Sequence, residues 1–210
     1  MMDFKEFAKE YKDDVCFHFD DDGVIHEWKQ LSLSIPAYYN DMTEEEKRKW
    51  EHDEIYKTLL SPNYFKNLAV MPKAVELANK LHEAGFMVRV LSCSINKDTD
   101  RQKYESLQEA LPWLTKEDIT LIPDGMGSKK YDYIPESIKH LDHILIDDHT
   151  PNCVGFCDRG GMALKYLNGI NGKNGTWKGL TAGSDIDKSL DALAECLSYG
   201  MGKECEEYER

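Results

Sequence analysis

Val15-Cys16-Phe17-His18-Phe19-Asp20-Asp21-Asp22-Gly23 decides the fold. Val15 to Phe19 is a short β-prone run with no polar break except His18, and it stops abruptly at three carboxylates and a glycine, as a buried strand does when it enters a polar turn. The same sentence recurs down the chain. Phe86-Met87-Val88-Arg89-Val90-Leu91 runs into Ser92-Cys93-Ser94, Ile119 to Ile122 forms a third short strand, and His143-Ile144-Leu145-Ile146 closes on Asp147-Asp148. Between these strands lie stretches of helical character. Pro72 sits at a first helical turn, Ala74, Val75, Ala78 and Leu81 recur at helical spacing, and Gly85 is placed to end that helix, which predicts a helix over about 73–84. Thr150-Pro151 offers a cap and a first-turn proline for a short helix ending near Gly160-Gly161, and Leu190, Leu193 and Leu197 share a face of a last helix over 186–199. Strands alternating with helices predict an α/β fold with a mostly parallel sheet.

From Trp28 to about Met71 the character changes: glycine is absent, charge is dense, and Thr43-Glu44-Glu45-Glu46 reads as a capping box opening a helix through Trp50 and Ile55. This predicts a small helical cap over 29–71, inserted after the first strand into a core made of 1–28 and 72–210. No internal repeat, low-complexity stretch or linker is found. The tail from Glu204 to Arg210 is expected to fray.

Composition bounds the function. The 210 residues carry 39 Asp and Glu against 26 Lys and Arg, a net charge of -13, and no basic patch is segregated from the rest, which argues against nucleic acid as a partner. MMDFKEFAKEYKDD lacks the apolar core of a signal peptide, and no apolar run approaches the roughly 20 residues of a membrane span, so a soluble, cytoplasmic protein is expected. The six cysteines, spread through a chain of ordinary apolar content, are read as reduced thiols. Oligomeric state is left open, a homodimer included.

In an open parallel sheet, ligands bind beyond the carboxyl ends of the strands, and here those ends carry Asp20 and Asp22, Ser92, and Asp147 with Asp148. Residues two apart on extended backbone share a side, so Asp20 and Asp22 pair while Asp21 turns away. Carboxylates gathered at one point repel one another, and a hard divalent cation such as Mg2+ relieves them. Lys129-Lys130, lying between the Ser92 and Asp147 strands, adds positive charge suited to an anionic substrate, and a phosphate fits both features. An acidic triplet alone is usually a solvated turn, Ser92 alone a strand-end residue and Lys130 alone a surface lysine; their order gives them roles.

That order, Phe19-Asp20-Asp21-Asp22-Gly23-Val24-Ile25, a strand ending in Ser92, Lys130, then Leu145-Ile146-Asp147-Asp148, resembles the four motifs of the haloacid dehalogenase-like phosphohydrolases. Within that superfamily the chain is most similar to the bacterial 5'(3')-deoxyribonucleotidases, through Trp28 after the first motif, Pro62-Asn63-Tyr64-Phe65-Lys66-Asn67-Leu68 with Pro72-Lys73-Ala74-Val75, and Lys165-Tyr166-Leu167-Asn168-Gly169-Ile170-Asn171. The resemblance implies a Rossmann-like three-layer fold and a Mg2+-dependent phosphomonoesterase acting on nucleoside monophosphates, with a phosphatase for another small phosphorylated metabolite as the alternative. It makes Asp20 the nucleophile and a metal ligand, and Asp22 the general acid and base, with its backbone carbonyl on the metal. Ser92 and the backbone N–H of Cys93 would hold phosphoryl oxygens, Lys130 would neutralise the transferring group, Asp147 would bind Mg2+ and Asp148 would act behind it, since adjacent side chains on extended backbone diverge. Lys130 is favoured over Lys129 by the following Tyr131-Asp132-Tyr133-Ile134, and Ser94 is the alternative to Ser92.

Trp28 and Phe65 are candidates for stacking on a nucleobase, although aromatics on amphipathic elements are more often core. His149, Cys153 and Cys157 recur every four residues but lack a fourth partner for a structural zinc, so a packed helix face is the better reading. Two other function classes compete. A signalling receiver domain also phosphorylates an aspartate, but in receivers the acidic pair precedes the acceptor, opposite to the order here. A non-catalytic nucleotide-binding protein would have no need of intact Asp20, Asp22, Lys130 and Asp147.

Overall fold

The computed structural model describes residues 4–28, 33–169 and 176–200, with the side chains of 198–200 left aside. Ile170, Asn171, Cys205 and the tail from Glu204 to Arg210 lie outside the described residues. Helices are α1 (Phe4–Tyr11), α2 (Glu44–Leu59), α3 (Pro72–Glu83), α4 (Lys97–Ala110), α5 (Thr150–Cys157) and α6 (Ile186–Gly200). Strands are β1 (Val15–Phe19), β2 (Met87–Ser94), β3 (Ile119–Pro123), β4 (Asp142–Asp147), β5 (Met162–Tyr166) and β6 (Thr181–Ala182). All pair in parallel, in the order β3-β2-β1-β4-β5-β6.

Every residue of β1 is buried, because a central parallel strand is covered on both faces. Phe17 and Phe19, with Ile144 and Ile146 of β4, join the larger core under α1, α3 and α6, where Leu77, Leu81 and Leu193 are fully buried. At about 1.5–3 kcal/mol for each such side chain, this core is the main stabilising term. The opposite face carries Cys16, Leu91, Leu145, Cys153 and Phe156 under α5 and the 3-10 stretch Gly127–Tyr133. Gly155 of α5 permits that contact: a Cβ there would lie 2.1 Å from the Ser128 carbonyl oxygen.

Two helices and two strands go beyond the sequence reading. α1 is signalled by Phe4, Phe7, Ala8 and Tyr11 at helical spacing, and it packs Phe7 on Phe86 at 5.4 Å between ring centroids. α4 is too polar to show an apolar stripe, but Asn96 caps it by accepting from the N–H groups of Asp98 and Thr99. β5 and β6 are short strands toward one edge of the sheet. Between β1 and α3, the described residues of the inserted segment carry α2, whose N-terminus is closed by the Thr43–Glu46 capping box. Among the described residues, no helix is long and apolar enough to cross a membrane.

Candidate active site

β1 lies between β2 and β4, so the chain reverses its direction of sheet growth at β1, and the crevice at the carboxyl ends of β1 and β4 is the switch point. Asp20 stands one residue past β1, its N–H donating to the Ile146 carbonyl at 2.9 Å, which places it beside Asp147 at the end of β4. Carboxylate oxygens of Asp20, Asp147 and Asp148 all lie within 4.8 Å of one another, and all three residues are buried. The divergence expected of Asp147 and Asp148 does not occur. β4 ends at Asp147 and the chain bends at Asp148, so the alternation of extended backbone no longer applies there.

Lys130 reaches this cluster from the Gly127–Tyr133 stretch and is completely buried. Its Nζ donates to Asp147 Oδ2 at 2.6 Å and forms an ion pair with Asp20 Oδ1 at 2.8 Å. Asp147 also accepts from the His149 N–H at 2.8 Å and from Asn152 Nδ2. Asn168 Nδ2 donates to Asp148 Oδ2 at 2.6 Å and to the Gly23 carbonyl at 2.9 Å, tying the first acidic turn to the last. Gly23 has φ +84°, and a Cβ there would lie 2.3 Å from Asp148 Oδ2, so this turn requires glycine twice over. Lys129, the competing lysine, is exposed.

The other half of the site centres on a residue that sequence reading missed. Lys103 of α4 is fully buried, donates to Asp22 Oδ2 at 2.5 Å and to Ser92 Oγ at 3.3 Å, and lies 3.4 Å from Asp21 Oδ2. Asp21 is also engaged by His26 Nδ1 at 2.6 Å. Ser94 is engaged by Thr99 at the start of α4, Oγ to Oγ1 2.8 Å, whereas Ser92 faces Lys103. Cys93 is half-buried, its thiol pKa raised by burial and modulated by Lys130 and Asp20. Phe65 takes the core reading rather than the stacking one: it is 3% exposed, with Lys103 Nζ 4.8 Å from its ring centroid and Tyr64 against it. Trp28 is half-buried just beyond the His26 bridge. His149 is exposed while Cys153 is buried, so those two do not converge.

Burial raises the Asp20 pKa, with Lys130 opposing it and Asp147 adding to it. Burial also pushes Asp22 up to about 6 against the pull of Lys103, while its side chain keeps 22% of its surface open. Asp20, Asp21, Asp22, Asp147 and Asp148 outnumber Lys103 and Lys130. Asp20 is buried next to two further carboxylates, and an all-oxygen cluster of this kind fits a hard divalent cation. A cavity of about 360 Å³ lies at the opposite edge of the strands, lined by Lys12, His82, Phe86 and Trp113 among others, far from these groups.

No protein-family model matches the sequence, and no curated protein does. Solved structures do match. A haloacid dehalogenase-like hydrolase from Burkholderia xenovorans LB400 superposes with a TM-score of 0.57 at 14% identity, over 88% of this chain and 98% of that one. The chain has the haloacid dehalogenase-like fold. D,D-heptose 1,7-bisphosphate phosphatase from B. bronchiseptica, solved with magnesium and phosphate, aligns with a TM-score of 0.52 at 15% identity, over 87% of this chain and 97% of that one. In this fold the acidic turn after β1 and the acidic end of β4 face one another across the switch point.

Proposed function

We propose that the protein is a Mg2+-dependent phosphomonoesterase that dephosphorylates nucleoside monophosphates, deoxyribonucleotides foremost, through a phosphoryl group carried on Asp20. The observation that carries this reading is Asp20, a buried carboxylate set between Lys130 Nζ at 2.8 Å and the Asp147–Asp148 pair. Gathering three buried carboxylates about one ammonium is costly in a merely structural role. Asp20, Asp147 and the backbone carbonyl of Asp22 would hold Mg2+, with Asp148 behind them. The ion, when bound, supplies Lewis-acid neutralisation of phosphoryl charge.

The residues divide the work. Asp20 attacks phosphorus in line, forming an O–P bond as the ester O–P bond breaks, and the departing alkoxide takes the proton of the Asp22 carboxyl. Water then attacks the phosphorus on Asp20, gives its proton to the Asp22 carboxylate, and inorganic phosphate leaves as the Asp20–phosphorus bond breaks. A carboxyl pushed up to about 6 can serve in both directions near neutral pH. Ser92 and the Cys93 N–H hold phosphoryl oxygens, and Lys130 neutralises them.

The nucleotide half rests on the sequence resemblance and on half-buried Trp28 as the remaining aromatic for a base. Burial of Phe65 favours a second reading, a phosphatase for another small metabolite such as a sugar phosphate, the class named for the B. bronchiseptica enzyme. Phosphate release from a panel of deoxy- and ribonucleoside monophosphates and sugar phosphates, with and without Mg2+, separates them. Turnover of deoxynucleotides that requires Mg2+ supports the proposal; turnover of sugar phosphates alone replaces the substrate, and inactivity of the folded protein across the panel overturns the phosphatase reading.

A further inference from the structure

Below the carboxylates, the same face of β1 and β4 carries a second set of ligand-type side chains. Cys16, His18 and Asp20 follow one another two residues apart, and His143 and Asp147 do so at intervals of four on β4, where His143 pairs in register with Cys16. Cys16, His18 and His143 are 0%, 1% and 2% exposed. The Cys16 thiol and one ring nitrogen of each histidine all lie within 4.8 Å of one another. The sheet therefore stacks an all-oxygen group at its edge over a sulfur–nitrogen group in its interior.

We propose that Cys16, His18 and His143 supply three ligands of a site for a borderline-soft divalent cation, Zn2+ by its donor set, separate from the carboxylate cluster and with the fourth position left to water. His18 Nε2 and His143 Nδ1 are 3.0 Å apart. Two nitrogen ligands on one tetrahedral zinc sit about 3.3 Å apart, given Zn–N bonds of about 2.0–2.1 Å, so a small opening of this pair admits the ion. Without it, one of the two buried rings donates to the other. With His143 Nδ1 as a ligand, its proton resides on Nε2, near the Ile138 carbonyl. An imidazole that ligates through one nitrogen and offers the other N–H to a backbone carbonyl is the usual supporting arrangement of a metal histidine. Arg89, opposite His18 on β2, is directed to the Glu117 carbonyl and lies 3.6 Å from Asp118, so its charge is engaged elsewhere. Phe156 and Tyr131 close the site from above, with ring centroids 6.2 Å from His18 and 6.0 Å from His143. Binding converts the Cys16 thiol to a thiolate and releases one proton per ion, with no change of oxidation state.

The test uses the full chain with Mg2+ in large excess to occupy the carboxylates. Dialysis against limiting Zn2+ should leave one ion per chain and release one proton, and Co2+ should give a thiolate charge-transfer band. Cys16→Ser and His143→Gln should each weaken Zn2+ retention by at least about 100-fold, while Cys153→Ser should leave it unchanged. Histidine ring-nitrogen NMR on the wild type covers the case in which a variant fails to fold: Zn2+ should shift the rings of His18 and His143 alone. No retained zinc, retention that survives Cys16→Ser in folded protein, or wild-type ring signals that ignore Zn2+ would each overturn the proposal.

Discussion

Replacing Lys103 with methionine tests the electrostatic design of the site, because the change keeps most of the buried stem and removes only the charge. Lys103 Nζ is 2.5 Å from Asp22 and 3.4 Å from Asp21, with its side chain fully buried. Breaking a buried ion pair by removing one partner costs about 3–5 kcal/mol, since the remaining charge is left uncompensated. That is a large share of the roughly 5–15 kcal/mol that holds a domain of this kind together. Urea unfolding of Lys103→Met in chelator should show a loss within that range at an unchanged slope. Adding Asp21→Asn should restore part of it, because the double variant no longer buries the Asp21 charge. Activity should fall by about 100-fold even at saturating Mg2+, as Asp22 loses the partner that positions it. A Lys103→Met protein as stable and as active as the wild type would refute the reasoning, and so would the absence of any rescue by Asp21→Asn.

Other perturbations probe separate links. Asp20→Asn should abolish Mg2+-dependent phosphate release while the far-ultraviolet circular dichroism stays native; retention of more than about one part in a thousand of the rate would exclude Asp20 as nucleophile. Gly155→Ala drives a Cβ to within 2.1 Å of the Ser128 carbonyl oxygen, so it should displace the stretch carrying Lys130 and lower both Tm and kcat; a neutral outcome would show that this contact does not hold the lysine. Leu193→Ala on α6, at 0% exposure, should cost about 2–5 kcal/mol of unfolding free energy and leave KM unchanged. His143 has its pKa lowered by burial first of all, so between that value and about 6.5 the unfolded chain binds more protons than the folded one. In metal-free buffer His143 should therefore subtract stability as pH drops below about 6.5, by up to roughly 1.4 kcal/mol per pH unit, and His143→Gln should lose less stability to acid than the wild type does.

Much of this architecture can be read from the chain because its strands end abruptly. Val15–Phe19 and His143–Ile146 are apolar runs that terminate at carboxylates, and their parallel pairing follows from the helices between them. The reading fails where local signals are weak or where the decisive contact is long-range. α4 shows no apolar stripe, since its buried face is made of Thr99, Gln102, Lys103 and Ser106 with Leu107 as the one apolar member. For the same reason Lys103 looks like a solvated helical lysine until α4 is laid against the Asp20–Asp22 turn, a partner 81 residues away in sequence. Phe65 was legible as an aromatic near the site but not as the ring under Lys103. Asp148 shows the limit of periodicity, which holds along a strand and lapses at the bend that ends it.

The central claim is a covalent phosphoryl group on Asp20, and rapid acid quench followed by peptide mass spectrometry tests it most directly. During turnover of a nucleotide with Mg2+ present, the account expects one phosphoryl group on the peptide containing Asp20, absent without Mg2+ and absent in Asp20→Asn. Steady phosphate release with that peptide unmodified at every quench time, or an Asp20→Asn protein that turns over at the wild-type rate, would contradict it.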